Sequence, residues 1–189
     1  MENMSYTFSG FSSLTSIDLT GFNTQKVSDI SNMFYSCNSL NLVDLSNFNT
    51  ENVIYMQGMF DSCNSLTSID VSNFKTNKVI DMNYMFHGCE KSANINLDNF
   101  DISNVEDLNS MFSGCFSLTF LELKNFNTKK VKDIKNMFNG CSKLISLDVS
   151  NFDTSNISNM KNLFSVCSSL KLLNSKILIQ KNIWYKFSI

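Results

Sequence analysis

The sequence predicts an α/β repeat solenoid: a right-handed stack of about seven 26-residue coils built from short parallel strands and short helical turns. Three periodicities carry this. Phe stands at 8, 34, 60, 86, 112, 138 and 164, a constant interval without insertion or deletion. Cys follows three residues later at 37, 63, 89, 115, 141 and 167, with Phe11 in that place in the first unit. Val or Ile occupies 27, 53, 79, 105, 131, 157 and 183.

The organisation follows from the period. Residues 1–7 read as a partial repeat at the N-terminal edge, because Asn3, Met4 and Tyr6 align one period upstream of Asp29, Ile30 and Asn32. Residues 8–163 hold six repeats, and 164–189 a divergent last repeat that serves as a C-terminal cap, with Trp184, Tyr185 and Phe187 laid over the open end. Within one unit the apolar positions are Phe8, Phe11, Leu14, Ile17, Leu19, Phe22, Val27, Ile30 and Met33. The stretch Leu14-x-x-Ile17-x-Leu19 has leucine-rich spacing and ends on a period-2 step, which predicts a short strand. Val27-x-x-Ile30-x-x-Met33-Phe34 predicts a second short strand leading into one helical turn around 31 to 36. Asn23-Thr24, Asn49-Thr50 and Asn127-Thr128 supply turns without proline, which the chain lacks. Nine apolar side chains do not offset the conformational entropy of ordering a whole unit, so a unit is stable only when stacked on its neighbours. The right-handed winding is expected from crossover chirality.

Composition narrows function. All 15 basic residues are Lys, so no guanidinium fork is present for bidentate phosphate or carboxylate recognition. With a net charge of -2, this argues against nucleic acid. His87 is the single histidine, which removes most triads, zinc enzymes and proton shuttles, and it stands in the most eroded unit, where Ser92 replaces Leu and Asn96 replaces Asp. No enzyme and no cofactor are expected.

The string Met59-Phe60-x-Ser62-Cys63-x-Ser65-Leu66-x-x-Ile69-Asp70-Val71-Ser72-Asn73-Phe74, continued by Thr76-x-x-Val79-x-Asp81-Met82, resembles the BspA-like leucine-rich repeat, a 26-residue repeat of bacterial surface proteins. The resemblance implies a non-enzymatic recognition protein at the cell surface or outside the cell, an adhesin or lipoprotein relative that binds host or neighbouring-cell protein or glycan. Two departures stand out. Phe22, Phe48 and Phe74 occupy the place of the usual ladder asparagine, and Asn47 and Asn73 sit one residue earlier, so the ordinary asparagine ladder is not expected. A basic stretch followed by an apolar run does not precede the repeats, and no 18-residue apolar span occurs. A cytoplasmic interaction scaffold and a truncated fragment of a larger surface protein therefore stand as alternatives.

Candidate site residues come from the outward columns. Asp18, Asp44, Asp70, Asn96, Glu122, Asp148 and Asn174 each lie between inward strand residues and so point out of the sheet. Stacked carboxylates about 5 Å apart repel and need an offset. Water, Ser16, Ser68, Ser146 and backbone amides provide one. A contact surface for a basic peptide, or weak Ca²⁺ binding centred on Asp44 and Asp70, is the functional alternative. Leu42, Phe120 and Leu172 in the neighbouring column are candidate apolar anchors. Lys124, Lys129, Lys130, Lys132, Lys135 and Lys143 gather around the fifth unit as a solvated face or a polyanion patch. The cysteines read as a buried ladder of free thiols, because Cβ atoms on coils about 4.8 Å apart are too distant for an unstrained disulfide. An exposed end coil would present unpaired strand edges, so end-to-end self-association is a further expectation.

Overall fold

A computed structural model describes residues 2–175, and within them the chain is a solenoid that closes one coil per sequence period. The expected cap over Ile177 to Ile189 lies outside the described residues. Four short strands form two parallel pairs: β1 (Glu2–Asn3) with β2 (Val27–Asp29), and β3 (Ser146–Asp148) with β4 (Leu172–Asn174). Between them the ladder of the Val27 register continues as single bridges, Asp29 to Tyr55, Asp81, Asp107, Asp133 and Asn159 in turn.

The helical turn expected around 31 to 36 is absent, and the described residues contain no helix. The reason lies in where the amides go. Ile30, Asn32, Phe34 and Ser36 donate their N–H to the carbonyls of Tyr55, Gln57, Met59 and Asp61 in the next coil at 2.8–3.1 Å. The intervening Met33, Tyr35 and Cys37 donate to Ile30, Asn32 and Phe34, closing three consecutive β-turns. An α-helix needs every amide to bond within the chain segment, whereas here every second one points along the stacking axis. Two positions per coil must take positive φ to alternate in this way. One column is Tyr6, Asn32, Gly58, Tyr84, Ser110, Asn136 and Asn162; the other is Gly10, Ser36, Ser62, Gly88, Gly114, Gly140 and Val166. At Gly58 a Cβ would meet Asn32 Oδ1 at 2.2 Å, so a side chain there requires the Asn32 amide to move.

The strand expected at Leu14 to Leu19 is weaker than the sequence suggests. Its register pairs as strand only in β3 and β4, with one further bridge between Ile69 and Ile95. Each outward carboxylate on this edge captures the amide two residues on, which takes that N–H out of the ladder and shortens the extended run.

Inside, each column stacks like on like. The Phe8 to Phe164 rings lie nearly parallel, with centroids 5.5–5.8 Å apart. Leu40, Leu66, Leu118 and Leu144 are buried beside them, as are Val53, Val79, Val105 and Val131. In the first described coil the equivalent Phe8, Leu14, Ile17 and Phe22 are only half-buried, and Phe11 is 53% exposed.

Polar ladders hold the coils in register. Thr24, Thr50 and Thr76 are buried, and each hydroxyl both donates to a carbonyl and accepts an amide from one residue of the next coil: Asn49, Lys75 and Asp101. Every cysteine thiol donates to the carbonyl of the phenylalanine 29 residues earlier, from Cys37 to Phe8 through Cys167 to Phe138, at 3.0–3.3 Å. The six cysteines are free thiols, as the coil spacing predicts. An asparagine ladder also exists, at the shifted position and not at the ordinary one. Asn73 Nδ2 reaches the carbonyls of Leu45, Ser46 and Phe48, Asn151 those of Leu123, Lys124 and Phe126, and Asn99 and Asn125 donate to Ser72 and Asp98. Shifting the asparagine by one residue moves the ladder around the coil and does not abolish it.

Thr76→Val removes the hydroxyl without changing the shape, and leaves the Asp101 amide and carbonyl unpaired. Stability should fall by about 1–3 kcal/mol in urea denaturation. A loss near zero would mean that water replaces this bridge.

Candidate functional site

The proposed outward column faces solvent. Asp18, Asp44, Asp70 and Asp148 are exposed, and Glu122 is half-buried. Their first task is local. Asp18 Oδ1 accepts the Thr20 amide at 2.9 Å and its hydroxyl at 2.8 Å. Asp44, Asp70 and Asp148 accept the amides of Ser46, Ser72 and Ser150 at 2.8–3.0 Å, and Glu122 that of Lys124 at 3.2 Å. The offset to repulsion thus comes from residues two positions after each carboxylate, not from Ser16, Ser68 and Ser146 before it. These bonds lower the carboxyls of Asp18 and Asp44 chiefly through the backbone amides, and that of Asp70 chiefly through the Ser72 side chain. Asp148 also receives Asn174 Nδ2 at 2.9 Å, a side-chain bond between coils. Among the described residues, no group of three or more His, Cys, Asp or Glu is placed to hold a metal ion.

The apolar candidates are in the open. Leu42 is 62%, Phe120 54% and Leu172 66% exposed, and Ile145 beside them is 52% exposed. Ile145 and Leu172 belong to neighbouring coils, and Leu172 N donates to Ile145 O at 3.3 Å. Phe120 belongs to the coil before that of Ile145, and Leu42 stands further toward the N-terminus. Lys143 and Lys171, next to Ile145 and Leu172 along the chain, are exposed as well.

A second acidic column escaped the sequence analysis. Asp29, Asp81, Asp107 and Asp133 are half-buried on the continuous ladder, with Tyr55 and Asn159 completing it. Each aspartate accepts the amide two residues on, at 2.7–2.9 Å. Asn83 Nδ2 is wedged between Asp81 and Asp107, at 3.4 and 3.3 Å from their Oδ2 atoms. Burial raises the Asp81 carboxyl, with Asp107 adding to the effect and the Asn83 amide opposing it. The signal was available: the column sits two residues after each Val27-type position.

His87 has a partner that sequence separation concealed. Its Nδ1 lies 2.7 Å from Asp61 Oδ1, one coil back, and the Ser62 hydroxyl donates to the same oxygen at 2.8 Å. Tyr84 packs edge-on against the imidazole. The pair ties two coils together at the turn edge. Cys89, two residues on, is buried and donates to Phe60 O, and burial pushes its thiol up, so it is no nucleophile. The same holds along the ladder, where burial raises Cys115 to about 12 and Cys167 to about 11.

Asp81 on the half-buried column and Asp18, Asp44 and Asp70 on the exposed one respond to pH with opposite sign. Depressed Asp18, Asp44 and Asp70 contribute stability above the ordinary carboxylate range that is lost as pH falls through their folded values. Raised Asp81 favours the folded state only below its unfolded value, and that contribution is lost as pH rises through its folded value. Asp81→Asn keeps an acceptor for the Asn83 amide and removes the charge. It should raise the melting temperature at pH 7, and the gain should vanish below about pH 4. A variant less stable at pH 7 would show that the charge itself supports the ladder.

A family model described as "Mycoplasma protein of unknown function, DUF285" matches residues 2–119 and 86–183. No curated protein matches the chain. Among solved structures, a leucine-rich repeat protein of T. pallidum is 19% identical over 90% of this chain and 60% of its own, with a TM-score of 0.37. A leucine-rich cell surface protein of Faecalibacterium prausnitzii is 16% identical over 85% of this chain and 59% of its own, with a TM-score of 0.35. A leucine-rich repeat protein of Bacteroides ovatus is 17% identical over 86% of this chain and 57% of its own, with a TM-score of 0.33. The chain therefore spans about 60% of the T. pallidum protein's length, and TM-scores this low do not establish a common fold. The match of the family model across nearly all described coils is of a different order, and the chain belongs to the DUF285 family of Mycoplasma proteins.

Proposed function

We propose that the chain is a non-catalytic recognition solenoid of the BspA-like leucine-rich type, displayed at a cell surface, that binds a protein or glycan of a host or neighbouring cell. The contact surface is the edge carrying Asp18, Asp44, Asp70, Glu122 and Asp148, with Leu42 and Phe120 as apolar anchors. One contrast supports the reading. Interior columns repeat the same residue coil after coil, whereas the column of Ser16, Leu42, Ser68, Asn94, Phe120, Ser146 and Leu172 changes chemistry at almost every step. Stacking does not need Leu42 or Phe120, since both are more than half exposed. Large exposed apolar side chains on a polar face are the composition of contact anchors. The carboxylates beside them are held by their own turns, so they present a fixed pattern of negative charge to a partner.

Protease shaving of intact source cells tests the location: loss of the immunoblot band supports display, and a fully protected band overturns it. The face is tested by flow cytometry of labelled chain on target cells. Leu42→Ser with Phe120→Ser should leave the melting temperature unchanged and weaken binding at least about tenfold. Equal binding by the wild type and this variant would move the contact surface elsewhere. For the metal alternative, the carboxylates already serve as turn acceptors, so millimolar calcium should leave the melting midpoint unchanged. A rise in the midpoint would restore calcium as a ligand of Asp44 and Asp70.

A further inference from the structure

The corner of the coil just before the Val27-type position carries a regular alternation of two residue types. At one position per coil the residues are Lys26, Asn52, Lys78, Asn104, Lys130 and Asn156. The asparagines serve the stack: the Nδ2 groups of Asn52, Asn104 and Asn156 donate to the carbonyls of Gln25, Asn77 and Lys129 at 2.7–2.9 Å. That bond leaves the Oδ1 of Asn52 and of Asn104 facing the following coil, where each accepts a lysine. Lys78 Nζ donates to Asn52 Oδ1 at 2.8 Å and Lys130 Nζ to Asn104 Oδ1 at 2.6 Å. The lysines are exposed, yet they are held in place, one ammonium every second coil, or about 10 Å apart.

Two surface clefts include a lysine of this column, Lys78 in one and Lys130 two coils on in the other, while the rest of each lining comes from different columns. One contains Lys75 and Lys78 with Asn49, Asn73, Asn77 and Glu51. The other is lined by Lys129, Lys130, Lys132, Asn156, Ser158 and Glu106. In the second cleft Glu106 takes up Lys132 at 2.5 Å, which leaves Lys129 and Lys130 as the ammonium groups of the lining without a carboxylate partner there. Ammonium groups exceed carboxylates in both clefts, while the chain as a whole is negative at -2.

We propose that this column is a binding track for an acidic polysaccharide, with the Lys78 and Lys130 clefts as two successive contact points for its anionic groups. Lysine ammonium groups neutralise carboxylate or sulfate as point charges. The asparagine amides and serine hydroxyls beside them match sugar hydroxyls, which donate and accept. Neither cleft carries an exposed aromatic ring, so the stacking surface of a single-stranded nucleic acid site is missing. The exposed side chains that line the two clefts are polar or charged, so the clefts lack the apolar core that a protein partner buries. Regular spacing adds a physical advantage, because one polymer that reaches both clefts binds the second at high effective concentration.

The test uses the whole chain and heparin oligosaccharides of increasing length in surface plasmon resonance, with poly-glutamate as the acidic peptide control. Affinity should rise at least about tenfold between fragments that reach one cleft and fragments that span two, and fall as salt is added. Lys78→Gln with Lys130→Gln should abolish that gain with length. Lys91→Gln with Lys143→Gln, which removes equal charge at exposed lysines that line neither cleft, should change affinity less than about twofold. All four side chains are exposed, so matching thermal melts establish that the variants fold. The proposal falls if wild type fails to bind heparin at low salt, or if the control pair weakens binding as much as the column pair. It falls also if poly-glutamate binds as tightly as the spanning oligosaccharide, since the track would then read charge alone.

Discussion

Everything in this molecule depends on the direction of alternate backbone amides. From Met4 to Gly140, four residues per coil send their N–H to the next coil while the residues between them close β-turns. This satisfies the backbone with neither a helix nor a broad sheet, and it makes each coil both donor and acceptor for its neighbours. The constant period is the geometric consequence. Adding or removing a residue would rotate the pattern, aim the axial amides sideways and leave buried polar groups unpaired. The absence of any insertion or deletion in the chain is therefore a hydrogen-bonding requirement as much as a packing one.

Side chains then lock the register that the backbone defines. Phe rings stack with centroids 5.5–5.8 Å apart, a distance that the backbone spacing imposes and that the offset-stacked geometry accepts. The thiols, threonines and asparagines do what apolar columns cannot. Each finds a particular carbonyl in the adjacent coil, so slippage by one residue leaves a buried polar group without a partner. Ile102, which stands in the threonine column, shows the alternative. With no hydroxyl there, the Asn127 amide donates to Asn125 within its own coil, and that link between coils is lost.

The period, the interior columns and the free thiols were all legible in the sequence, because like residues at identical spacing can stack in only one way. The turns were not. Residues 31 to 36 have spacing that suits a helical turn, and only the positive-φ columns betray the true conformation. Gly88, Gly114 and Gly140 with Asn32 and Asn136 carry that signal, but Tyr84 and Val166 occupy the same columns and obscure it. The asparagine ladder is hidden for a related reason. The offset of Asn47 and Asn73 from the common pattern says nothing of which carbonyls an amide one residue earlier can reach. Of the candidate site, the outward direction of Asp18 through Asp148 was readable from alternation. Their partners were not, since Ser46 and Ser72 reach the carboxylates only after the chain bends. His87 and Asp61 are separated by the stacking period itself, so their pairing is visible when adjacent units are compared column by column.

That comparison also separates structural positions from free ones. A residue whose side chain bonds the next coil is constrained to a few types, and the Thr24, Cys37 and Asn73 columns obey this with little variation. A residue that bonds only its own turn, as Asp44 does, is constrained in its acceptor but not in what faces solvent. A residue that bonds nothing, as with the exposed Leu42 and Phe120 side chains, is constrained by neither. Recognition can evolve without cost to the stack only in the last two classes, and in a solenoid those classes form continuous lines along the axis. Neighbouring coils place such residues about 5 Å apart, so a single substitution in one repeat changes one rung of a surface that many coils share. The strand edge is such a line: its carboxylates bond their own turns and its Leu42 and Phe120 side chains bond nothing, so the backbone requirement that forbids insertions leaves it free to vary. The lysine–asparagine corner belongs to the first class, because Asn52, Asn104, Lys78 and Lys130 each bond an adjacent coil, and its chemistry is tied to the stack that holds it.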